Sequence, residues 1–189
     1  MLISNRLISR SDGIGRRDGL KIRWGQTRVG SSPTFGTISR FYLKPFIRMV
    51  FYYIKGGINV YIEIETKKED EFIDITNKIN DLVNKVEFKN GYVKIFVPHT
   101  TAGITINENA DPDVKKDILK ELNIIVPKNH KYKHLEGNSH AHIKASIMGS
   151  SVEIPFEDGR LQLGTWQGIY FCEFDGPRRR KYLVNLVKG

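Results

Sequence analysis

Basic charge and chain-breaking residues are concentrated in the first quarter of this 189-residue chain, so a folded core has to come from the remainder. Residues 1–48 hold ten basic and two acidic residues, a net charge of +8, whereas residues 49–189 hold twenty basic and nineteen acidic residues, a net charge of +1. The first segment also contains six glycines and little hydrophobic periodicity, so it buries too little apolar area to offset the entropy of ordering it. We therefore expect an extension over residues 1–48 and a single domain over residues 49–189.

The extension has three interpretations. Gly30-Ser31-Ser32-Pro33 resembles the translated T-arm of a transfer-RNA gene, in which case translation starts at Met49. The alternatives are a disordered or loosely docked extension and a basic arm that contacts phosphates. Since the body is nearly neutral, nucleic acid is not the partner we expect for it.

The body shows strand patterns joined by short turns, with two helices between early strands. We predict helices over residues 76–86 and from Asp111-Pro112-Asp113 onward, where acids and proline suit a helix start. Strands are predicted at residues 59–65, 72–75, 92–97, 104–106, 142–148, 151–156, 161–163, 168–174 and 181–187, with a hairpin turn at Asp158-Gly159. This order predicts an α+β fold, a mostly antiparallel β-sandwich with two helices.

Cysteine content and hydropathy bear on the compartment. The single cysteine, Cys172, excludes an intramolecular disulfide and fits a reducing, cytoplasmic location; we expect it to be an inert core residue. No run of 18 apolar residues occurs, so we expect no membrane partner.

All five histidines lie between His99 and His142, and this clustering indicates a metal or proton-transfer site. On a strand, His140 and His142 would point to the same face, and His99 would supply a third nitrogen. We predict that these three bind a divalent metal, zinc or magnesium, and that His99, His140 and Glu108 are catalytic. Hydrogen-bonded core histidines near a subunit interface, or a metal-free acid–base role, are the alternatives. His130 and His134 are expected in a surface loop.

Small polar turns and arginines are candidates for binding a phosphorylated small molecule. Turn amides can cradle phosphate, and an indole ring between two glycines can stack on a heteroaromatic ring. Ordinary turn chemistry, core packing and a solvated arginine run are the respective alternatives. The predicted substrate-binding residues are Thr100, Thr101, Asn138, Arg160, Trp166, Gln167 and Arg178.

Five separate strings, in this order, resemble the YjbQ family, also called the secondary thiamine-phosphate synthase family. They are VPHTTA at 97–102, NENADPD at 107–113, EGNSHAHIK at 136–144, GTWQG at 164–168 and FCEFDGPR at 171–178. The resemblance covers about residues 60–187 and none of residues 1–48. It implies a small antiparallel α+β sandwich, a homotrimer, and a weak transferase activity that condenses a pyrimidine diphosphate with a thiazole phosphate. A non-catalytic metal- or anion-binding trimer is the alternative.

Overall fold

Two antiparallel sheets and a pair of helices form three layers. The computed structural model describes residues 57–189, together with the backbone of two strands at Ile38–Ser39 and Met49–Ile54. The expectations for the rest of residues 1–48 lie outside the described residues. Within the described part, the three helices and two sheets confirm the predicted α+β sandwich class.

The larger sheet has seven strands in the order β1-β2-β3-β10-β5-β7-β8. The alternating burial of β5 places Val93 and Ile95 in the core, while Tyr92 and Phe96 face outward. Asp158 and Gly159 both have positive φ and join β7 to β8, which confirms the predicted two-residue hairpin. The strands are β1 (Ile38–Ser39), β2 (Met49–Ile54), β3 (Gly57–Glu65), β5 (Gly91–Phe96), β7 (Ser151–Glu157), β8 (Arg160–Leu161) and β10 (Arg179–Lys188).

The smaller sheet has the order β4-β9-β6, with β4 at Glu71–Asp74, β6 at Ala102–Glu108 and β9 at Gln167–Glu173. Strand β9 is buried on both faces, which explains its continuous apolar sequence. Ile169 and Phe171 face the core shared with the larger sheet, whereas Tyr170 and Cys172 pack in a second core beneath two helices. The small sheet is therefore the middle layer.

Two of the helices were predicted. Helix α1 spans Thr76–Lys85 and buries Ile79, Leu82 and Val83. Its N-cap is Ile75, and the Asp74 carboxylate accepts a hydrogen bond from the amide of Thr76 in the first turn (2.8 Å). Helix α2 spans Pro112–Ile125, and Asp111 caps it by accepting from the Asp113 amide (2.8 Å).

The predicted strand at residues 142–148 is wrong: these residues belong to a third helix, α3, at Ser139–Met148. Its buried side chains are His140, Ala141, Lys144 and Ala145, a helical spacing in which two polar residues occupy core positions. The two small alanines pack in the same core as Leu122 of α2. Because two of the four buried positions are polar, the hydrophobic pattern alone does not show the helical period.

Among the described residues, no helix has both the length and the apolar character needed to cross a membrane.

Candidate functional site

A cleft of about 350 Å³ opens beside the buried face of α3. We call it the His140 cleft. Its lining carries three lysines, two carboxylates, one amide and one imidazole, so its positive groups outnumber its negative ones when the imidazole is neutral. The residues are Lys68, Glu69, Asp70, Asn123, Lys128, His140 and Lys144.

His140 is buried, at 3% exposure, yet neither ring nitrogen has a hydrogen-bond partner among the described residues. Its Nε2 lies 3.6 Å from Oε1 of Glu69, which is too long for a hydrogen bond. Because buried polar atoms are nearly always bonded, an imidazole left in this state beside a cleft is available to a ligand. His140 is therefore a candidate acid–base group.

Lys144 is 1% exposed and is held by two acceptors from different elements. Its Nζ donates to Oδ2 of Asp70 (2.6 Å) and to Oδ1 of Asn123 on α2 (2.7 Å). These bonds compensate the cost of burying an ammonium group. A fixed cation therefore lines the His140 cleft.

Glu69 lies between an exposed residue of the cleft, Lys128, and a buried one, His140. Lys128 donates a hydrogen bond to Oε1 of Glu69, the same oxygen that lies nearest His140. The hydrogen bond from Lys128 lowers the pKa of the Glu69 carboxyl, burial opposes the shift, and the charge of Lys128 and the proximity of His140 act in the lowering direction. Glu69 is therefore a carboxylate shared between a lysine and a histidine.

A second cleft, of about 480 Å³, contains the other two predicted histidines. Nε2 of His99 lies 3.0 Å from the carbonyl oxygen and 3.1 Å from the amide nitrogen of Lys181. Burial, followed by the charge of Arg180, lowers the pKa of His99, so the neutral ring is favoured. We call this the His99 cleft; its lining is His99, Thr100, Ala102, His142, Ala145, Ser146, Gly149 and Ser150.

The expectation that His140 and His142 share a face is wrong, since residues two apart on a helix point in nearly opposite directions. His99 and His142 line one cleft and His140 lines the other. Within the described residues, no three His, Cys, Asp or Glu side chains are grouped so that they could hold a metal ion. The donor set of a single chain therefore does not fit the predicted three-histidine site. Zinc or magnesium stays a prediction that needs ligands from another copy.

The two threonines after His99 lie in different environments. Thr100 is exposed and lines the His99 cleft, whereas Thr101 is buried. The hydroxyl of Thr101 accepts a hydrogen bond from Arg180 (2.7 Å), whose guanidinium also pairs with the fully buried Glu173 at 2.6 and 2.7 Å. Thr101 belongs to a buried polar network, so its phosphate role has no support from its position.

Glu108, Trp166 and Gln167 lie together at one end of the small sheet, where Glu108 pairs with Gln167 across β6 and β9. Trp166 is 64% exposed, and Oε1 of Gln167 accepts the Gly164 amide hydrogen bond within its own loop (2.8 Å). The hydroxyl of Tyr170 lies 3.0 Å from the Glu108 carbonyl oxygen. These residues line neither the His140 cleft nor the His99 cleft.

Gly168 is small because Asn109 occupies the space beside it: a Cβ there would lie 2.7 Å from the Asn109 Cβ. The Asn109 side chain donates to Oδ2 of Asp74 (2.8 Å) and receives the Tyr170 hydroxyl bond (2.6 Å). The predicted close approach at the 164–168 string is therefore a structural contact between β9 and the residue that follows β6.

Asn138 and Arg178 meet through Asp175. The amide of Asn138 donates to Oδ2 of Asp175 (3.2 Å), and Arg178 forms an ion pair with the same oxygen (2.7 Å). Arg160 is exposed on β8 and lines neither cleft. Among the predicted phosphate ligands, Asn138 immediately precedes α3, the helix that carries His140.

The predicted burial of Cys172 and the predicted surface positions of His130 and His134 are confirmed. Cys172 is fully buried, and burial raises the pKa of its thiol. His130 and His134 are exposed.

Six residues of the His140 cleft were not among the predicted site residues: Lys68, Glu69, Asp70, Asn123, Lys128 and Lys144. The charged run Lys67-Lys68-Glu69-Asp70 has the composition of a solvated turn, and Lys144 was assigned to a strand. A usable signal was the spacing of His140 and Lys144, which four residues apart share one helical face.

The fold and this cleft define a small α+β sandwich protein with a lysine-rich cleft beside a buried histidine. The chain belongs to the YjbQ family: the family model described as UPF0047 protein YjbQ-like matches residues 60–189. The UPF0047 protein MJ1081 of Methanocaldococcus jannaschii is 51% identical over 141 residues, which are 75% of this chain and 96% of that protein. The UPF0047 protein YugU of Bacillus subtilis is 51% identical over 127 residues, covering 67% and 96%.

Solved structures agree with this assignment. A YjbQ/UPF0047 family protein from Clostridium acetobutylicum is 58% identical, with a TM-score of 0.66 over 67% of this chain and 98% of that chain. A protein from Sulfolobus solfataricus, described as YbjQ-like and of unknown function, is 34% identical, with a TM-score of 0.67 over 70% of this chain and 98% of its own.

Proposed function

We propose that this protein is a small enzyme that acts on a phosphorylated small molecule bound in the His140 cleft. The observation that carries the proposal is a buried imidazole with two unbonded nitrogens in a cleft that also presents three lysines. Phosphate oxygens need cationic donors, and proton transfer needs a group whose pKa lies near neutrality, which imidazole supplies.

Each group has a separate task in this proposal. Lys68 and Lys128 bind the anionic oxygens at the rim, and Lys144, fixed by Asp70 and Asn123, adds a positive charge that does not have to reorganise. His140 transfers a proton to or from an oxygen of the phosphate group, and Oε1 of Glu69 lies 3.6 Å from its Nε2.

The reaction we propose is the weak secondary thiamine phosphate synthesis suggested by the family resemblance. The carbon–oxygen bond between the pyrimidine methylene and the diphosphate breaks, and the thiazole nitrogen supplies the electron pair of the new carbon–nitrogen bond. The diphosphate leaves with the electrons of the broken bond, so no oxidant or reductant is needed. The lysines would stabilise the negative charge that develops on the departing diphosphate.

Paired substitutions test this proposal. His140→Ala is expected to abolish turnover of a pyrimidine diphosphate with a thiazole phosphate and to weaken binding of inorganic pyrophosphate, measured by calorimetry, about tenfold or more. His130→Ala is the matched control, because this exposed imidazole lines neither cleft and is expected to change neither quantity. Unchanged pyrophosphate binding in His140→Ala would remove the site assignment.

A second candidate function is a non-catalytic metal- or anion-binding homotrimer. The observation that favours it is the pair of imidazoles, His99 and His142, in one cleft. Two ligands from one chain would need completion by another copy to reach the usual coordination number of zinc. Elemental analysis, with sedimentation before and after chelation, tests it: chelator should dissociate the oligomer, and a metal-free preparation of unchanged size would exclude it.

A further inference from the structure

Three of the four unsatisfied buried side-chain atoms of the described structure belong to residues that line the His140 cleft. The buried side-chain atoms that have no hydrogen-bond partner there are Oδ1 of Asp70, Oδ1 of Asn138 and both ring nitrogens of His140. Asp70 and His140 line the His140 cleft, and Asn138 stands two residues before His140. Oδ1 of Asp70 is an acceptor, and a neutral His140 ring has one acceptor and one donor nitrogen. An unpaired buried acceptor is costly, so two of them at one cleft indicate a missing donor.

Asp70 lines the cleft, and its two carboxylate oxygens differ in their hydrogen bonding. Its Oδ2 accepts the Lys144 bond at 2.6 Å, which also compensates its charge, while its Oδ1 is buried and unbonded. Lys144 is in turn anchored by Asn123 at 2.7 Å. The free oxygen of Asp70 is thus an oriented acceptor.

A phosphate group alone does not suit this oxygen. Phosphate oxygens are anionic acceptors, so phosphate placed against Oδ1 of Asp70 would bring two acceptors of like charge together. The anion therefore belongs at Lys68 and Lys128, and the group beside Asp70 has to be a hydrogen-bond donor.

We infer that the His140 cleft selects phosphorylated compounds that also carry an amino group, with the phosphate on the lysines and the amino group donating to Oδ1 of Asp70. This inference rests on the proposed function, since it takes the same cleft as the phosphate site. In this inference Asp70 selects the substrate, and Lys144 and Asn123 position Asp70. The unprotonated nitrogen of His140 is a second acceptor for the amino group.

Two probes of nearly equal size test the inference with the full chain. O-Phosphoethanolamine carries a phosphate and an amine, and ethyl phosphate carries the same phosphate ester without the amine. Calorimetric titration is expected to show O-phosphoethanolamine binding about tenfold or more tightly, because a charged donor meets a buried acceptor only in that complex. Ethanolamine alone is expected to bind too weakly to measure.

Asp70→Asn removes the anionic acceptor at nearly constant volume. We expect it to reduce the preference for O-phosphoethanolamine to less than about threefold while ethyl phosphate still binds. Asp113→Asn is the control, since Asp113 is exposed at the start of α2, outside the cleft, and should leave the preference unchanged. The comparison of probes on the unaltered chain stands even if Asp70→Asn does not fold.

The outcomes separate this inference from the proposal on which it rests. If ethyl phosphate binds and O-phosphoethanolamine binds no more tightly, the cleft holds phosphate without reading an amine, and the inference is overturned alone. If neither compound binds, the phosphate site itself is absent, and both the proposed function and the inference are overturned.

Discussion

Substituting Glu173 by Gln should lower the free energy of unfolding more than removing an exposed charge does, because Glu173 neutralises a buried arginine. Glu173 is fully buried and receives two hydrogen bonds from the Arg180 guanidinium, at 2.6 and 2.7 Å. Glutamine keeps the shape but leaves the guanidinium without a counter-charge, and breaking a buried pair in this way costs about 3–5 kcal/mol. A domain of this size has a total stability of about 5–15 kcal/mol, so the loss is a large fraction of it.

Urea denaturation, followed by circular dichroism, measures this loss as a lower midpoint at constant slope. Thermal unfolding should shift down by about 10–20 °C, given the usual conversion for a domain of this length. Glu65→Gln is the control: it breaks the exposed pair between Glu65 and Arg179 (3.0 Å), which should cost less than about 1 kcal/mol. A Glu173→Gln cost no larger than that of Glu65→Gln would contradict the role of Glu173 as the counter-charge of Arg180.

The double variant Glu173→Leu with Arg180→Met separates pairing from desolvation. Removing both charges should recover part of the stability, since an apolar pair avoids the cost of a buried ion. Recovery should stay incomplete, because Glu173 also accepts hydrogen bonds from the Thr66 hydroxyl (3.1 Å) and from the amides of Phe174 (3.1 Å) and Asp175 (3.0 Å).

Three further predictions concern single positions. Gly168→Ala should cost about 1–3 kcal/mol in urea denaturation, because its Cβ would meet Asn109 at 2.7 Å, whereas Gly164→Ala should cost clearly less; equal costs would contradict the packing argument. Because the pKa of His99 is lowered in the folded state, the free energy of unfolding should rise with pH through the window between that lowered value and the unfolded value near 6.5. The loss of stability at acid pH should be smaller in His99→Gln. Identical stability–pH profiles for the two proteins would contradict the lowered pKa of His99. The buried thiol of Cys172, whose pKa is raised, should react with a disulfide reagent only as fast as the protein unfolds, and fast labelling of the native protein would contradict its burial.

Local signals in the sequence predicted most of the fold. Asp158-Gly159 formed the expected hairpin, and Asp111 capped α2, because turn and cap preferences depend on a few neighbouring residues. The prediction failed at α3, where His140 and Lys144 occupy buried positions. Their burial depends on partners far along the chain, Asp70 and Asn123 for Lys144, and hydropathy cannot register such partners.

The candidate site was predicted only in part, for the same reason. His140 was found from the histidine cluster, but the strand assignment paired it with His142 rather than with Lys144. Glu69 and Asp70 enter the cleft through the folding of the segment before β4 onto α2 and α3, a tertiary event with no local sequence pattern. Thr101 was predicted from its polar turn, and its actual partner, Arg180, lies 79 positions away.

Binding of a phosphorylated ligand in the His140 cleft can be tested by titrating inorganic pyrophosphate into protein carrying ¹⁵N-labelled histidine. We expect saturable changes in the ring nitrogen resonances of His140, with those of the exposed His130 unmoved at the same concentrations. Ring resonances of His140 that stay constant up to millimolar pyrophosphate, or that move no more than those of His130, would contradict it.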